Sequence, residues 1–411
     1  MATTITLTAA EDTFTSSSDA DVVLALGGAD AITALGADSI YGGDDGDTLG
    51  ITATDTVGAL LFGNAGGDLI TSASGADTIF GGVGNDTIFA NAGADLLFGD
   101  AGNDSVSATG GGADTVYGGD GADTIFGTGA TDTVGKLFFG NAGNDSLTGS
   151  SNADTIFGGL DNDTIFGGAG ADSLFGDAGT DYISAAGAGT DTIYGGDGAD
   201  TISGGDDNIG ALGHVFFGNA GADSLIGGSN ADTIFGGIDN DFISAGTGID
   251  VLNGDAGDDR IYGGTGGDSL FGGAGADTLY GQGAVDTLVG GDGADVFVFD
   301  SLESGASLGA TISGGDRITL FDRGTDKIGL VSSAFGVNLT DALNAGIYQA
   351  SNTATGGGQA ANQYLIFDTA NSTLYFDATP AAAGATNGDR YAIATLDGVT
   401  QISASDFIII G

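Results

Sequence analysis

Aspartates that end short glycine-rich segments are the residues whose type and spacing suggest chemistry. Between residues 72 and 107 the chain reads SASGADTIF, GGVGNDTIF, ANAGADLLF and GDAGNDSVS, with Asp77, Asp86, Asp95 and Asp104 at the sixth position. Calcium takes about six to eight oxygen ligands from carboxylates and backbone carbonyls. Glycine adopts positive φ at no steric cost, so several carbonyls can face one ion while the aspartate completes its shell. The pattern predicts calcium binding.

The same nine-residue unit predicts the elements that position these aspartates. Its first six residues predict a turn, and its last three predict a short strand whose middle residue is aliphatic. Two units make one coil of 18 residues, so that turns stack along two edges and strands pair in parallel. The eighth-position aliphatics, such as Ile156, Ile165 and Leu174, are expected to point inward as a thin core between two sheets.

The nine-residue spacing extends from Asp12 to Asp295 and contains a larger repeat. FGN recurs at Phe62, Phe139 and Phe217, at steps of 77 and 78 residues. Segments such as TATDTVGALLF and TGATDTVGKLFF interrupt the spacing three times. We expect these interruptions to form loops that leave the stack without ending it.

Composition limits the partners of the chain. It carries 83 Gly, 56 acidic residues and a formal charge of −50, and Lys136 is its only basic residue before Arg260. Glu11 and Glu303 are the only glutamates, so a short carboxylate is preferred. Charges this dense oppose compact folding unless cations enter the structure. Nucleic acid and anionic membranes, which are recognised through Lys and Arg, are poor partners.

The N-terminal sequence, taken alone, predicts a cytosolic location. MATTITLTAAEDTFT lacks the positive and apolar regions of a secretory signal, and no run of about 20 apolar residues predicts a transmembrane segment. The absence of Cys excludes disulfides and thiolate zinc sites. The calcium chemistry and the C-terminus favour an extracellular location instead.

Three units, GGVGNDTIF at Gly81, GGAGADSLF at Gly167 and GGAGADTLY at Gly272, resemble the GGxGxDxUx nonapeptide of RTX, or hemolysin-type, calcium-binding proteins. The resemblance covers about Asp12 to Asp295. It implies an all-β fold, a right-handed parallel β-roll (β-solenoid), with calcium between consecutive turns on each edge. The residues implied in calcium binding are Gly81, Gly82, Gly84, Asp86, Asp104, Gly118, Gly119, Gly121, Asp123, Asp163, Gly167, Gly168, Gly170, Asp172, Asp181, Asp200, Asp232, Asp241, Asp259, Gly263, Gly264, Gly266, Asp268, Gly272, Gly273, Gly275, Asp277 and Asp295.

Several turns depart from this pattern, and we expect weaker or missing ions there. The turns that do not keep both leading glycines and the fourth-position glycine end at Asp77, Asp95 and Asp154. The turns whose fourth residue is not Gly carry Asp161, Asp239 and Ala284 at that position. The first five turns, up to Asp47, are the least regular.

The pattern predicts three regions: irregular repeat coils with a first strand over 1–60, the β-roll in repeats of about 77 residues over 61–299, and a β-rich C-terminal cap over 300–411. DRITLFDRGTDKIGL (316–330) resembles the segment that follows the repeats in RTX proteases, and QYLIFDTANSTLYFDA (363–378) predicts a hairpin. The final LDGVTQISASDFIIIG resembles the uncleaved signal of type I secretion substrates. The resemblance implies export by a type I transporter of a Gram-negative-type bacterium, with folding in extracellular calcium.

The two catalytic motifs considered, HExxH and GxSxG, do not support an enzymatic function. HExxH requires two His, and the only one is His214, which we interpret as an ordinary loop residue. GASLG (305–309) fits GxSxG formally, with Ser307 as nucleophile, but lacks the strand and helix that this motif requires. The sequence therefore predicts a protein without catalytic residues.

Because the repeats begin at Asp12, we expect no enzyme or toxin domain ahead of them. We therefore expect a structural protein of the cell surface or matrix, such as a surface-layer or filament subunit, that self-associates. The alternative is a monomeric adhesin or carbohydrate-binding module. Ninth-position aromatics, such as Phe80, Phe89 and Phe98, are expected to face outward in strips that either mediate contacts or merely cover the sheet.

Overall fold

The computed structural model describes residues 4–16, 21–35, 38–52, 56–129, 133–205, 213–300, 315–335, 339, 343, 348–350, 364–377 and 390–410. These residues form an all-β parallel β-solenoid of about 15 coils with almost no helix. Its short helical segments include α1 (Ser332–Phe335) and a 3-10 helix (Ala404–Asp406). Within the described part of the chain, no helix is long and apolar enough to cross a membrane.

The chain divides into two compact units, Met1–Gly210 and Ala211–Gly411. The strands of the first unit are short and evenly spaced. They are β1 (Thr4–Thr6), β2 (Thr13–Thr15), β3 (Val22–Leu24), β4 (Ala31–Ala34), β5 (Ser39–Asp44), β6 (Thr48–Ile51), β7 (Leu60–Ala65), β8 (Leu69–Thr71), β9 (Thr78–Val83), β10 (Thr87–Phe89), β11 (Leu96–Ala101), β12 (Ser105–Ser107), β13 (Thr115–Asp120), β14 (Thr124–Phe126), β15 (Leu137–Ala142), β16 (Ser146–Thr148), β17 (Thr155–Leu160), β18 (Thr164–Phe166), β19 (Ser173–Ala178), β20 (Tyr182–Ser184), β21 (Thr192–Asp197) and β22 (Thr201–Ser203).

The second unit continues the numbering and ends in less regular strands. They are β23 (Val215–Ala220), β24 (Ser224–Ser229), β25 (Thr233–Ile238), β26 (Phe242–Thr247), β27 (Val251–Ala256), β28 (Arg260–Thr265), β29 (Ser269–Ala274), β30 (Thr278–Gly283), β31 (Thr287–Asp292), β32 (Val296–Phe299), β33 (Asp316–Thr319), β34 (Lys327–Val331), β35 (Tyr348–Ala350), β36 (Leu365–Asp368), β37 (Thr373–Asp377), β38 (Arg390–Leu396) and β39 (Phe407–Ile410).

Within each unit, each repeat strand pairs in parallel with the strand two places further along the chain. In both units, odd-numbered repeat strands form sheet A and even-numbered ones form sheet B. The eighth-position residues stay in register, as in the pairing of Ile79 with Leu97. We call the turns that precede sheet A strands edge A, and those that precede sheet B strands edge B.

The core is the predicted thin layer of eighth-position aliphatics. Ile79, Ile88, Leu97 and Val106 have no exposed surface, and the same holds for the corresponding residues of later coils. Their neighbours on either side alternate outward, because successive side chains of a strand point to opposite faces. The predicted parallel pairing and inward position of these residues are therefore confirmed.

The repeat strands of sheet A from β5 to β31 are longer than the three residues expected, whereas β1 and β3 have three. β9 and β11 pair through the second and third turn residues, as Gly82 does with Asp100. Sheet B strands of the first unit from β8 onward stop after three residues, whereas β24, β26, β28 and β30 reach six. The interruptions and ten-residue repeats all fall on edge A, directly after sheet B strands. Turns of unequal length cannot pair residue by residue, which accounts for the early ends of β12, β14 and β20, whose following turns are longer than six residues.

The sheets of the second unit continue beyond the last nonapeptide. β33 pairs with β31 and then with β38, while β34 pairs with β32 and then with β39, all in parallel. The predicted hairpin is present as antiparallel β36 and β37. Unpaired strand edges attract other strands, so this continuation covers the edges of the last repeat coil.

Some features predicted from the sequence lie outside the described residues. They include parts of the three interruptions (53–55, 130–132 and 206–212) and GASLG at 305–309. On either side of the first two interruptions the pairing continues, with Tyr41 opposite Phe62 and Tyr117 opposite Phe139. These two interruptions leave sheet A without ending it, as expected.

Replacing Ala284 by Gly should stabilise the second unit. Ala284 has a φ of 81°, in the left-handed region that a Cβ disfavours. We expect Ala284→Gly to raise the free energy of unfolding by roughly 1 kcal/mol, measured by urea unfolding of the calcium-loaded chain. Ala276→Gly, in a turn position without positive φ, is the matched control and should give no gain. A lower free energy of unfolding for Ala284→Gly than for the wild type would contradict this prediction.

Candidate metal centre

A ladder of backbone-to-carboxylate hydrogen bonds runs along each edge. The backbone N–H of Asp68 donates to Oδ1 of Asp86 at 2.7 Å, and that of Asp86 donates to Oδ1 of Asp104 at 2.8 Å. Donor and acceptor are 18 residues, or one coil, apart. The same bond recurs on edge B as far as Asp295 and on edge A as far as Asp286. Every rung therefore fixes the side chain of one sixth-position aspartate.

The second carboxylate oxygen of most rungs is buried and accepts no hydrogen bond. An ionised oxygen that is removed from water without a partner costs several kcal/mol, so it calls for a cation or a proton. The aspartates whose Oδ2 is in this state are Asp30, Asp47, Asp68, Asp86, Asp95, Asp104, Asp123, Asp145, Asp163, Asp172, Asp181, Asp232, Asp241, Asp250, Asp259, Asp268, Asp277 and Asp295.

The first glycine of the turn leaves space beside this oxygen. A methyl group on Gly81 would stand 2.5 Å from Oδ2 of Asp86 and 2.6 Å from the carbonyl oxygen of Gly99, in the next coil. One carboxylate oxygen and one carbonyl oxygen thus approach the same point, which only glycine leaves open. The same arrangement recurs at Gly118, Gly158, Gly254, Gly263 and Gly272. Such an oxygen-lined space fits calcium.

The other predicted glycines shape the turn. The glycines at the second and fourth positions of the turn that ends at Asp86, Gly82 and Gly84, have φ values of 111° and 136°. These values lie in the region that side chains disfavour, and they bend the backbone within the turn. The corresponding residues with positive φ are Gly119, Gly121, Gly168, Gly170, Gly264, Gly266, Gly273 and Gly275.

Carboxylates alone do not form a cage. Among the described residues, no group of three or more His, Cys, Asp or Glu side chains converges in a way that could hold a metal ion. Each rung instead offers one carboxylate oxygen beside turn carbonyls. Calcium accepts such mixed oxygen shells, whereas zinc prefers nitrogen and sulfur. The donor set therefore fits calcium.

Burial raises the pKa of many rung aspartates. Desolvation is the largest cause, partly opposed by the ladder hydrogen bond, and it raises the pKa of Asp163 to about 8 and those of Asp104 and Asp277 to about 7. Neighbouring rungs add to the rise, because two carboxylates one coil apart repel each other. Without cations the ladder thus favours protons over ionised carboxylates.

The irregular turns keep much of this geometry. Asp161 and Asp239, at the fourth position, have φ values of 73° and 77° and so adopt the left-handed conformation of the glycine they replace. Asp95 keeps a buried Oδ2 without a hydrogen-bond partner. In contrast, Oδ2 of Asp154 accepts the N–H of Ser150 at 2.5 Å. Weaker ion binding at these turns stays a prediction, best supported at Asp154.

Two ladder residues were missed from the sequence. The N–H of Asp286 donates to Oδ1 of Asp316 at 3.1 Å, and that of Asp295 to Oδ1 of Asp326 at 3.3 Å. These steps span 30 and 31 residues, so the nine-residue spacing does not reveal them. The available signal was local: Asp316 and Asp326 each stand two residues before a buried isoleucine, as rung aspartates do.

Three rungs of edge A carry another residue in place of Asp. The backbone N–H groups of Ala59, Lys136 and His214 donate to Oδ1 of the aspartate one coil further, at 2.7, 2.6 and 2.7 Å. All three residues are buried and follow an interruption. His214 lies outside the strands, as the sequence predicted, but it is buried and its backbone continues the ladder.

Comparison with known proteins identifies the repeat. The family model described as RTX calcium-binding nonapeptide repeat (4 copies) matches residues 15–49, 60–88, 71–106, 106–134, 137–165, 158–187, 184–208, 215–243, 235–270 and 262–297. No curated protein matches the chain. The solution structure of the AlgE6R3 subunit from the Azotobacter vinelandii mannuronan C5-epimerase is similar at 26% identity, over 42% of this chain and 78% of that chain, with a TM-score of 0.24.

A side chain at Gly81 should remove a calcium site. Because its Cβ would stand 2.5 Å from Oδ2 of Asp86, we expect Gly81→Ala to bind about one calcium ion fewer and to fold at higher calcium concentration. Equilibrium dialysis and circular dichroism measure both effects. Gly50→Ala is the control, since its Cβ would meet nothing closer than 3.9 Å. Equal calcium binding by Gly81→Ala and the wild type would refute this assignment.

Acid should partly replace calcium in folding. Rung aspartates have an ordinary pKa of 3.8 when unfolded and up to about 8 in the calcium-free fold. The folded chain therefore binds more protons between these values, and this contribution to stability is full below about pH 4 and lost as pH rises through about 6 to 8. Without calcium, we expect β-structure to increase as pH falls from about 8.5 to 5. An unchanged far-UV circular dichroism spectrum over this range would contradict the expectation.

Proposed function

Because the chain belongs to the family of RTX calcium-binding nonapeptide repeat proteins, we propose that it is a secreted structural protein that folds on binding calcium outside the cell and then self-associates. In this proposal it forms a surface layer, filament or matrix and has no catalytic role. The observation that carries the calcium step is the pair of ladders with buried, unsatisfied Oδ2 atoms. RTX repeats are typical of secreted proteins, which supports the location.

The proposed ions lie beside the rungs. Oδ2 of each rung aspartate and carbonyl oxygens of the turns, such as that of Gly99, would bind them. When bound, calcium neutralises carboxylates that otherwise repel one another. The chain's own residues hold the oxygens in place: the ladder hydrogen bond fixes each carboxylate, and the first glycine keeps the space beside it open.

The charge of the chain supports a link between calcium and export. With a formal charge of −50, the chain resists folding where calcium is scarce. An unfolded chain can pass through a type I transporter, and the higher calcium concentration outside then favours folding. The affinity range of extracellular calcium modules, about 10⁻⁴ to 10⁻³ M, suits such a switch.

A column of aromatic rings on sheet A of the first unit supports self-association. Adjacent rings stack with centroids 4.6–5.0 Å apart and planes within 10°. All are half-buried, so one flank of each ring is open to solvent. The column consists of Tyr41, Phe62, Phe80, Phe98, Tyr117, Phe139, Phe157, Phe175 and Tyr194. A continuous apolar strip of this kind suits contact with a second copy.

A second candidate function is carbohydrate binding, as in an adhesin. A shallow groove on sheet A combines the rings of Phe139 and Phe157 with the polar side chains of Asn141 and Asp177. Aromatic faces pack against the apolar faces of sugars, while polar groups bind hydroxyls. The groove therefore supports a glycan as the ligand in this second proposal.

Calcium addition should produce folding followed by growth. As calcium is raised from zero to about 10 mM, across the extracellular affinity range, circular dichroism should show β-structure forming, and light scattering should then show large particles. Replacing Phe98, Phe139 and Phe157 by Thr should preserve folding and abolish growth. The control replaces Phe89, Phe126 and Phe166 on sheet B by Thr and should still grow.

The two candidate functions separate in the same experiment. A wild-type chain that folds with calcium but stays monomeric at high concentration contradicts self-assembly. If that monomer also binds a glycan array, and the sheet A variant does not, the adhesin function replaces the structural one. A chain that does not fold with calcium would refute both.

A further inference from the structure

Lys136 occupies a rung of edge A where the repeat calls for aspartate. Its backbone N–H donates to Oδ1 of Asp154 at 2.6 Å, as an aspartate would in that position. The residue is buried, although a lysine in a strand-flanking position ordinarily keeps its ammonium in water. Its backbone thus preserves the ladder, and its side chain must find partners inside the edge.

Those partners are a carboxylate oxygen and a backbone carbonyl oxygen. The same two kinds of atom line the space beside the first glycine at other turns. Nζ of Lys136 lies 2.7 Å from Oδ2 of Asp114 and donates to the carbonyl oxygen of Gly112 at 2.8 Å. Neither the ammonium-bearing side chain nor the Asp114 side chain has any exposed surface. A rung carboxylate oxygen and a turn carbonyl oxygen are thus satisfied together by one positive charge.

The charge of Lys136 also reaches the neighbouring rungs. Burial raises the pKa of Asp95, one coil before Asp114, to about 7, and it raises that of Asp154 as well. The positive charge of Lys136 opposes both increases. Bound calcium would act on adjacent rungs in the same direction, since any cation between carboxylates favours their ionised forms.

We propose that the ammonium group of Lys136 takes the place of a calcium ion at the turn that ends at Asp114. This turn is then neutralised by the chain itself, and the row of ions along edge A is interrupted there. The inference rests on the proposed calcium binding by the ladders. A buried ion pair costs desolvation and is retained where both charges are satisfied, as they are here.

The arrangement distinguishes the two edges. Along the described rungs of edge B, each position holds an aspartate, so its row of carboxylates is continuous within each unit. Edge A of the first unit is broken at Ala59 and Lys136, but only Lys136 brings a charge of its own. The contact between Lys136 and Asp114 consequently needs no calcium ion of its own at this turn.

Restoring aspartate at this rung tests the proposal. In the full chain, we expect Lys136→Asp to bind about one calcium ion more than the wild type at saturating calcium, measured by equilibrium dialysis with atomic absorption. Arg260→Asp changes the charge equally on an exposed strand position and should bind the wild-type number. A Lys136→Asp chain that folds yet binds the wild-type number of ions would overturn the proposal.

Amine labelling provides a test that requires no variant to fold. The chain has only two lysines, Lys136 and Lys327. In calcium, reductive methylation followed by mass spectrometry should modify Lys327 and leave Lys136 largely unmodified, whereas in chelator both should react. Equal rates at both lysines in calcium would overturn the proposal. If the wild type binds no calcium at all, the proposed function itself fails, and the two failures are thereby distinguished.

Discussion

The hydrogen bond from each rung N–H to the carboxylate one coil further is the interaction on which the rest of the structure depends. It satisfies a buried backbone donor, as buried backbone groups require, and it holds the aspartate side chain against the edge. It also uses only Oδ1, so Oδ2 remains buried beside the first glycine of the turn. The aspartates that form the ladder hydrogen bonds therefore also supply the buried Oδ2 atoms that require cations. The fold and its need for cations come from the same residues.

The geometry of the ladder explains why nearly all acidic residues of the chain are aspartates. Glutamate would add a methylene between backbone and carboxylate and could not make the same rung, which accounts for the near-absence of Glu among 56 acidic residues. Burial raises the pKa of rung carboxylates such as that of Asp163, and repulsion between carboxylates one coil apart adds to the increase. Cations, protons or a chain-borne ammonium such as that of Lys136 relieve the same repulsion. Folding and ionic conditions are coupled for this reason.

The two edges differ in the regularity of their turns. Edge A takes the interruptions, the ten-residue repeats and the rungs without aspartate, and the sheet B strands before its irregular turns are short. Edge B keeps turns of equal length, so the sheet A strands from β5 to β31 extend over six residues. Long, regular pairing keeps ninth-position rings at the spacing of the coils, and the stacked column on sheet A results. Variation on one edge thus leaves the opposite sheet regular.

The sequence by itself determined the nine-residue period, the parallel coils, the inward aliphatics and the aspartates that form most rungs, because these follow from local spacing that recurs without change. Only the tertiary structure decided which edge each turn joins, since that depends on counting coils across interruptions of unequal length. It therefore placed Lys136 and His214 in aspartate positions and showed Asp316 and Asp326 to be rungs. Contacts between coils, rather than neighbours in sequence, give these four residues their environment.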